Sequence, residues 1–341
     1  MSAKHTPPSA GPQAEKYPLR LKRADTLKTT RAVITELVQG ILTTKGLSLI
    51  YGASNAAKTF ITIDLASAIA QGCDWMGRKT KAGMVLYLAV ESPGSVENRV
   101  HAYQLHYDVL MPNLFISESQ VNFFQDDEGA KAVIETLKKL EKEHGQKVEL
   151  LVIDTLACAT PGADENSGRD MGRVIDRANR IREECGVHVA LVHHTGKTAE
   201  AGARGWSGLV AAVDTAIKVA ESAGKRYIEI TKSRDLGAKG EQQGFDLGVV
   251  EIGSTNFGAK ETTCVVLPTG ARGTVRKLGT VEEAVRAYLA GNPDVTKSEV
   301  VKHFAGRHEK GPVYRAIQAL VGLGVLCESD GRFSIAEGIG S

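Results

Sequence analysis

The chain has 341 residues, 42% hydrophobic and 24% charged, and its 42 Lys+Arg against 40 Asp+Glu leave a net charge of +2. This composition excludes a fibrous or wholly disordered chain and suffices for one large domain plus a small one, and the near-neutral balance leaves nucleic-acid or membrane attraction to local patches. Five scattered cysteines without a CxxC pair argue against structural zinc and a disulfide framework, and no apolar run approaches the roughly 18 residues of a membrane span.

Residues 1–18 are rich in Pro, Ser, Ala and Gly and lack the apolar core of a signal peptide, which predicts a disordered tail on a soluble, cytoplasmic protein with no membrane partner. Residues 32–38 are short and apolar, compatible with a helix or a strand. The next stretch, residues 47–59, organises the rest. An apolar run ends at Gly52 and is followed by Ala53, Ser54, Asn55, Ala56, Ala57, Lys58 and Thr59. The spacing matches a phosphate-binding loop, Gly, four residues, Gly, Lys, Ser/Thr, except that Ala57 replaces the second glycine. The chemistry requires backbone N–H groups curled around phosphates at a helix N-terminus. ATP phosphates would meet Gly52 and residues 54–60, Phe60 included, with Lys58 supplying charge and the Thr59 hydroxyl serving Mg²⁺. A Cβ at position 57 is expected to crowd the phosphates and slow turnover.

Helical spacing predicts a helix over 60–70, stopping at Gly72. The continuous apolar run 84–90 reads as a strand buried on both faces, ending in Glu91, a carboxylate at the sheet edge where open α/β sheets bind ligands. Helices are predicted over 96–110 and 130–144. Residues 149–155 form another apolar strand, closed by Asp154 in the manner of a Walker B strand, whose carboxylate holds Mg²⁺ through water. An amphipathic helix over 169–185 leads to the strand 187–192 and to His193 and His194, which must point to opposite sides of an extended chain. Only one can face a nucleotide, and adjacent strand histidines are badly placed to chelate one ion.

A Gly/Ala loop, 198–208, carries Arg204 and Trp206 and follows Lys197. An antiparallel pair, 215–219 and 227–231, ends in Lys232 and Arg234, and two short strands, 245–252 and 262–267, complete the domain. The expected organisation is a tail (1–18), a large α/β domain (19–266), a linker (267–279) and a small domain (280–341). The last combines helices over 281–290, 297–305 and 312–323 with a hairpin over 324–335, the plan of a winged helix. Its third helix would present Tyr314, Arg315 and Gln318, but its acids balance its bases, so protein docking is as good a reading as DNA binding.

Residues 52–59, 86–91, 151–156, 192–197, 204–207 and 232–234, in this order and spacing, resemble the RepA-like AAA family ATPases of the RecA/DnaB superfamily, which includes hexameric plasmid-type replicative helicases. The resemblance covers about residues 35–255 and implies a RecA-like core with a mostly parallel sheet. It implies Glu91 as the catalytic carboxylate, on a strand beside that of the phosphate loop, and Asp154 with Thr59 at Mg²⁺. His194, or else His193, would sense the γ-phosphate. Lys197, Arg204 and Trp206 would lie in a loop touching single-stranded DNA. Lys232 and Arg234 would be fingers reaching a neighbour's nucleotide, with Arg204 as the rival finger. A homo-oligomeric ring, a hexamer in the family, follows, with a replication protein as partner of the small domain. The implied function is replicative unwinding for a plasmid, phage or mobile element; the alternative is an ATP-switched DNA-binding or helicase-loader protein.

Overall fold

The computed structural model describes residues 23–28, 33–195, 208–269, 280–322, 326–329 and 331–335. The expected tail, most of the linker, and Lys197, Arg204 and Trp206 lie outside the described residues.

A 3-10 turn, Ala24–Lys28, precedes a small antiparallel pair, β1 (Glu36–Val38) and β2 (Leu42–Thr43), so the ambiguous segment 32–38 ends as a strand. The central sheet has nine strands. In chain order these are β3 (Leu47–Gly52), β4 (Met84–Ala89), β5 (Leu114–Ser117), β6 (Val148–Asp154), β7 (His188–His194), β8 (Thr215–Ser222), β9 (Lys225–Ser233), β10 (Gln242–Ser254) and β11 (Lys260–Pro268). Their spatial order is β11-β10-β9-β8-β3-β7-β6-β4-β5. The strands from β8 to β5 run parallel, and β9, β10 and β11 continue antiparallel. β3, β4 and β6 are buried along their whole length, as their largely apolar runs require for a sheet covered on both faces, with Ser48 and Glu149 as buried polar exceptions.

The helices around this sheet are α1 (Lys58–Gln71), α2 (Pro93–Tyr107), α3 (Glu128–His144), α4 (Gly168–Cys185) and the short α5 (Gly208–Ala212). One core joins α1 and α2 to one face, through Ile61, Leu65, Ile69, Val96, Tyr87 and Val152. The other joins α3 and α4 to the opposite face, through Ile134, Leu137, Val174, Ile181, Leu86 and Leu191. α1 is apolar almost all round because it is buried almost all round, whereas α3 and α4 are strongly amphipathic and solvated on one side.

The strands expected over 245–252 and 262–267 are longer than predicted. β10 pairs with β9 only over Gln242–Phe245, and beyond that point pairs only with β11 as a two-stranded ribbon. The Tyr107 hydroxyl donates to the Val266 carbonyl and the Asn98 amide to the Glu261 carboxylate, so the ribbon packs back over α2.

The C-terminal elements are α6 (Thr280–Gly291), β12 (Val295–Thr296), α7 (Lys297–His303), α8 (Lys310–Gly322), β13 (Leu326–Ser329) and β14 (Arg332–Ile335). They share a core around Val285, Leu289, Val300, Val313, Ile317 and Phe333. Thr296 caps α7 through a reciprocal box with Glu299, as its sequence position predicts. The expected two-stranded hairpin is joined by a third strand, because β12 pairs with β14. Tyr314, Arg315 and Gln318 are exposed on α8.

Candidate active site

Parallel strands deliver their C-terminal ends to a single edge of the sheet. Read across that edge from β3 to β4, the residues are the loop after Gly52, then His194, then Asp154, then Glu91. The expectation that Glu91 lies on a strand beside that of the phosphate loop is corrected: β7 and β6 stand between β3 and β4. Glu91 reaches the site because it lies past the end of β4, in the turn into α2, where its side chain is 48% exposed.

Gly52 is required for packing. A Cβ there would strike the carbonyl oxygen of Val219 on β8, so only glycine lets the two strands approach before the chain turns. Ser54 and Ala56 build the loop without lining the cavity, while Asn55, Ala57, Lys58, Thr59 and Phe60 line it. Ala57 holds φ 74° and ψ 23°, the left-handed conformation natural to the missing glycine, and it is the uncapped N-terminus of α1. The first turn of α1 therefore has no side-chain cap and lines the cavity, and a helix N-terminus so placed favours an anion.

Lys58 is buried and folds back on its loop, donating to the Ala53 carbonyl at 2.8 Å and standing 3.2 Å from His194 Nδ1. Burial pushes its pKa below the ordinary lysine value, against the pull of Asp154 and Glu91. An ammonium has only donors, so Nδ1 of His194 is the acceptor and the ring proton sits on Nε2. Nε2 lies 3.9 Å from Glu91 Oε2. Burial, then the Lys58 charge, push the His194 pKa below the ordinary histidine value, which keeps the ring neutral at pH 7. His194, not His193, is therefore the histidine of the site; His193 is buried.

Asp154 is 3% exposed, and Oδ2 accepts a 2.6 Å hydrogen bond from the Tyr87 hydroxyl. Burial pushes its carboxyl pKa up, while hydrogen bonds from Tyr87 and Thr59 pull it down. The peptide between Asp154 and Thr155 is cis. Thr59 and Asp154 offer a hydroxyl and a carboxylate beside an open cavity, a hard-oxygen pair that fits a Mg²⁺ ion keeping most of its shell as water and phosphate oxygens. Among the described residues there is no group of three or more His, Cys, Asp or Glu that could hold a metal ion.

The cavity has a volume of about 300 Å³. Beyond the phosphate end it is walled by Ser92, Ser95, Val96, Arg99 and Leu247, none of which sequence reasoning singled out. The Arg99 guanidinium lies 4.2 Å over the Phe60 ring, a cation–π contact. Arg99 carries a sequence signal, a basic residue two turns into the helix that Glu91 precedes. Leu247 carries none, since the β10–β11 ribbon brings it from far along the chain.

Lys232 and Arg234 are not brought to this site within the chain. β9 is antiparallel to β8, so Ser233 pairs with Thr215, which pairs with Ser48 at the opposite end of β3 from the loop. There Lys232 donates to the carbonyls of Val210 and Ala211 at the end of α5, and Arg234 pairs with Asp214 at 2.5 Å. Asp214 also accepts from the Leu47 N–H and from Arg182, so it anchors the foot of β3.

Among the described residues no helix is long and apolar enough to cross a membrane. No match is found among curated proteins. The AAA domain family matches residues 14–200, more than half of the chain, and this span contains the phosphate loop, Glu91, Asp154 and His194. The chain therefore belongs to the AAA domain family and is a nucleotide-hydrolysing P-loop ATPase of the AAA/RecA-like kind.

Proposed function

We propose that this ATPase works as a homo-oligomeric ring on single-stranded DNA, with ATP and Mg²⁺, as a replicative helicase of a plasmid, phage or mobile element. The observation that carries the reading is the separation of Lys232 and Arg234 from their own nucleotide site. They lie at the opposite sheet edge, from which they would reach a neighbouring copy's site by giving up the α5 carbonyls and Asp214. A trans finger adds charge that the cavity otherwise draws from Lys58 and Arg99, and is worth about 10³ to 10⁵ in rate where it operates.

In the site itself, Glu91 orients and polarises the attacking water, and Lys58 meets the phosphates by leaving the Ala53 carbonyl. Thr59 and Asp154 hold the cation, which supplies charge neutralisation when bound. His194 contacts both Lys58 and Glu91, so it is the residue able to pass the state of the γ-phosphate from the loop to the strand ends. β7 then leads into the segment carrying Lys197, Arg204 and Trp206, the proposed contacts to DNA. The C-terminal unit is read as a winged helix, and its balanced charge suits a replication protein as its partner as well as it suits DNA.

The test is strand displacement on a forked duplex by the purified full chain with ATP and Mg²⁺. Displacement together with ATP turnover that rises on single-stranded DNA is the expected result. Turnover stimulated by DNA without any displaced strand removes the helicase reading and leaves the ATP-switched loader in its place.

A further inference from the structure

The mechanism outlined above makes no use of Tyr87, yet this phenol is the only polar side chain in β4, whose sequence is otherwise Met, Val, Leu, Leu and Ala. It is fully buried, and a buried hydroxyl costs stability unless it finds a partner. Its partner is Oδ2 of Asp154, at 2.6 Å, the length of a charge-assisted O–H···O⁻ bond. The sheet register explains how the two meet. Tyr87 pairs with Val152 and Ala89 pairs with Asp154, so Tyr87 and Asp154 project from the same face, one pleat apart on neighbouring strands. That face is the one covered by α1, which begins with Lys58 and Thr59.

The phenol therefore reaches up from the core and occupies one carboxylate oxygen from below. A buried carboxylate with one oxygen committed cannot rotate or present both oxygens to an ion. We propose that Tyr87 is a positioning residue for divalent-cation binding, fixing the Asp154 carboxylate so that Oδ1 alone serves the cation's shell. This rests on the reading that Asp154 serves Mg²⁺ beside the nucleotide. Hydrogen-bond partners of metal-site ligands typically change metal affinity about 10- to 100-fold when removed.

The test compares wild type and Y87F, as full-length protein, in equilibrium binding of a fluorescent ADP without metal and across a Mg²⁺ titration. For Y87F the metal-free affinity is expected to stay within about twofold, while the Mg²⁺ concentration for half-maximal tightening rises about tenfold. In turnover, kcat at limiting Mg²⁺ falls while KM for ATP at saturating Mg²⁺ does not move. A Mg²⁺ response in Y87F equal to that of wild type overturns the role of Tyr87 alone. A wild type whose ADP binding ignores Mg²⁺ overturns both this role and the reading of Asp154.

Removing the Tyr87 hydroxyl leaves a buried carboxylate oxygen without a donor, so Y87F can be lost to misfolding. The pair D154N and Y87F/D154N lessens this, because the amide at position 154, left without the phenol, is uncharged. If Tyr87 acts through Asp154, the two match in metal-free affinity and in Mg²⁺ response. A further loss of metal-free affinity in the double variant places the effect of Tyr87 elsewhere and overturns the proposal.

Discussion

Lys58 Nζ stands 3.2 Å from Nδ1 of His194, and the other nitrogen of the same ring stands 3.9 Å from Oε2 of Glu91. The phosphate-binding lysine and the carboxylate past the end of β4 are thus joined through one neutral imidazole. The arrangement needs Nδ1 unprotonated, because an N–H there would face an ammonium.

His194→Ala is therefore expected to keep nucleotide affinity within a few-fold and to lower turnover by about 10²-fold. Wild-type turnover should fall on the acid side only below the ordinary histidine range near pH 6.5, since burial and Lys58 shift the ring down. That acid limb should be missing from the residual activity of H194A, which a pH–rate profile of both proteins reads directly.

Ala57 adopts φ 74° in the position where a phosphate loop ordinarily has glycine. A left-handed residue with a Cβ costs roughly 1–2 kcal/mol, so Ala57→Gly should stabilise the fold by about 1 kcal/mol once the greater freedom of glycine in the unfolded chain is counted. Urea unfolding measures the gain. Removing the Cβ from the cavity wall should also raise ATP affinity and turnover, and unchanged values for both show that the departure from glycine is harmless to function.

Asp64 lies on α1, 6% exposed, and burial pushes its carboxyl from 3.8 up to about 7. The folded state then holds the proton more tightly than the unfolded chain. Its stabilising effect is full below 3.8 and is lost as pH rises through about 7. From about pH 5 to pH 8 wild type should lose roughly 2–3 kcal/mol through this group. Asp64→Asn removes that slope, so the gap between the unfolding free energies of the two proteins should change by this amount from pH 5 to pH 8.

Much of the site is legible in the sequence because the strands of a doubly covered sheet are largely apolar runs with a polar residue at the end. Residues 84–90 show this pattern, 150–153 and 189–192 show it after one early polar residue each (Glu149 and His188), and Glu91, Asp154 and His194 all stand at the edge it predicts. Strand order is not legible, since nothing local distinguishes a strand beside β3 from one three places away; hence the misplacement of Glu91's strand. Choosing His194 over His193 needs the register of β7 against β3. Tyr87 reads as one more apolar residue of its run, because the partner that gives its hydroxyl a purpose is 67 positions away. The packing of the β10–β11 ribbon on α2, and with it Leu247 at the cavity, escapes for the same reason: the contact is made in space and leaves no period in the sequence. β12 is invisible as a two-residue strand fixed only by its pairing with β14.

The central assignment is hydrolysis of ATP at the edge formed by Lys58, Asp154, His194 and Glu91, with Glu91 as the catalytic carboxylate. Its most direct measurement is ATP turnover by wild type and Glu91→Gln, with nucleotide binding followed in parallel. The expected result is measurable Mg²⁺-dependent turnover in wild type, lowered by at least about 10²-fold in E91Q, with ATP still bound to within a few-fold. Equal turnover in the two proteins would contradict the assignment.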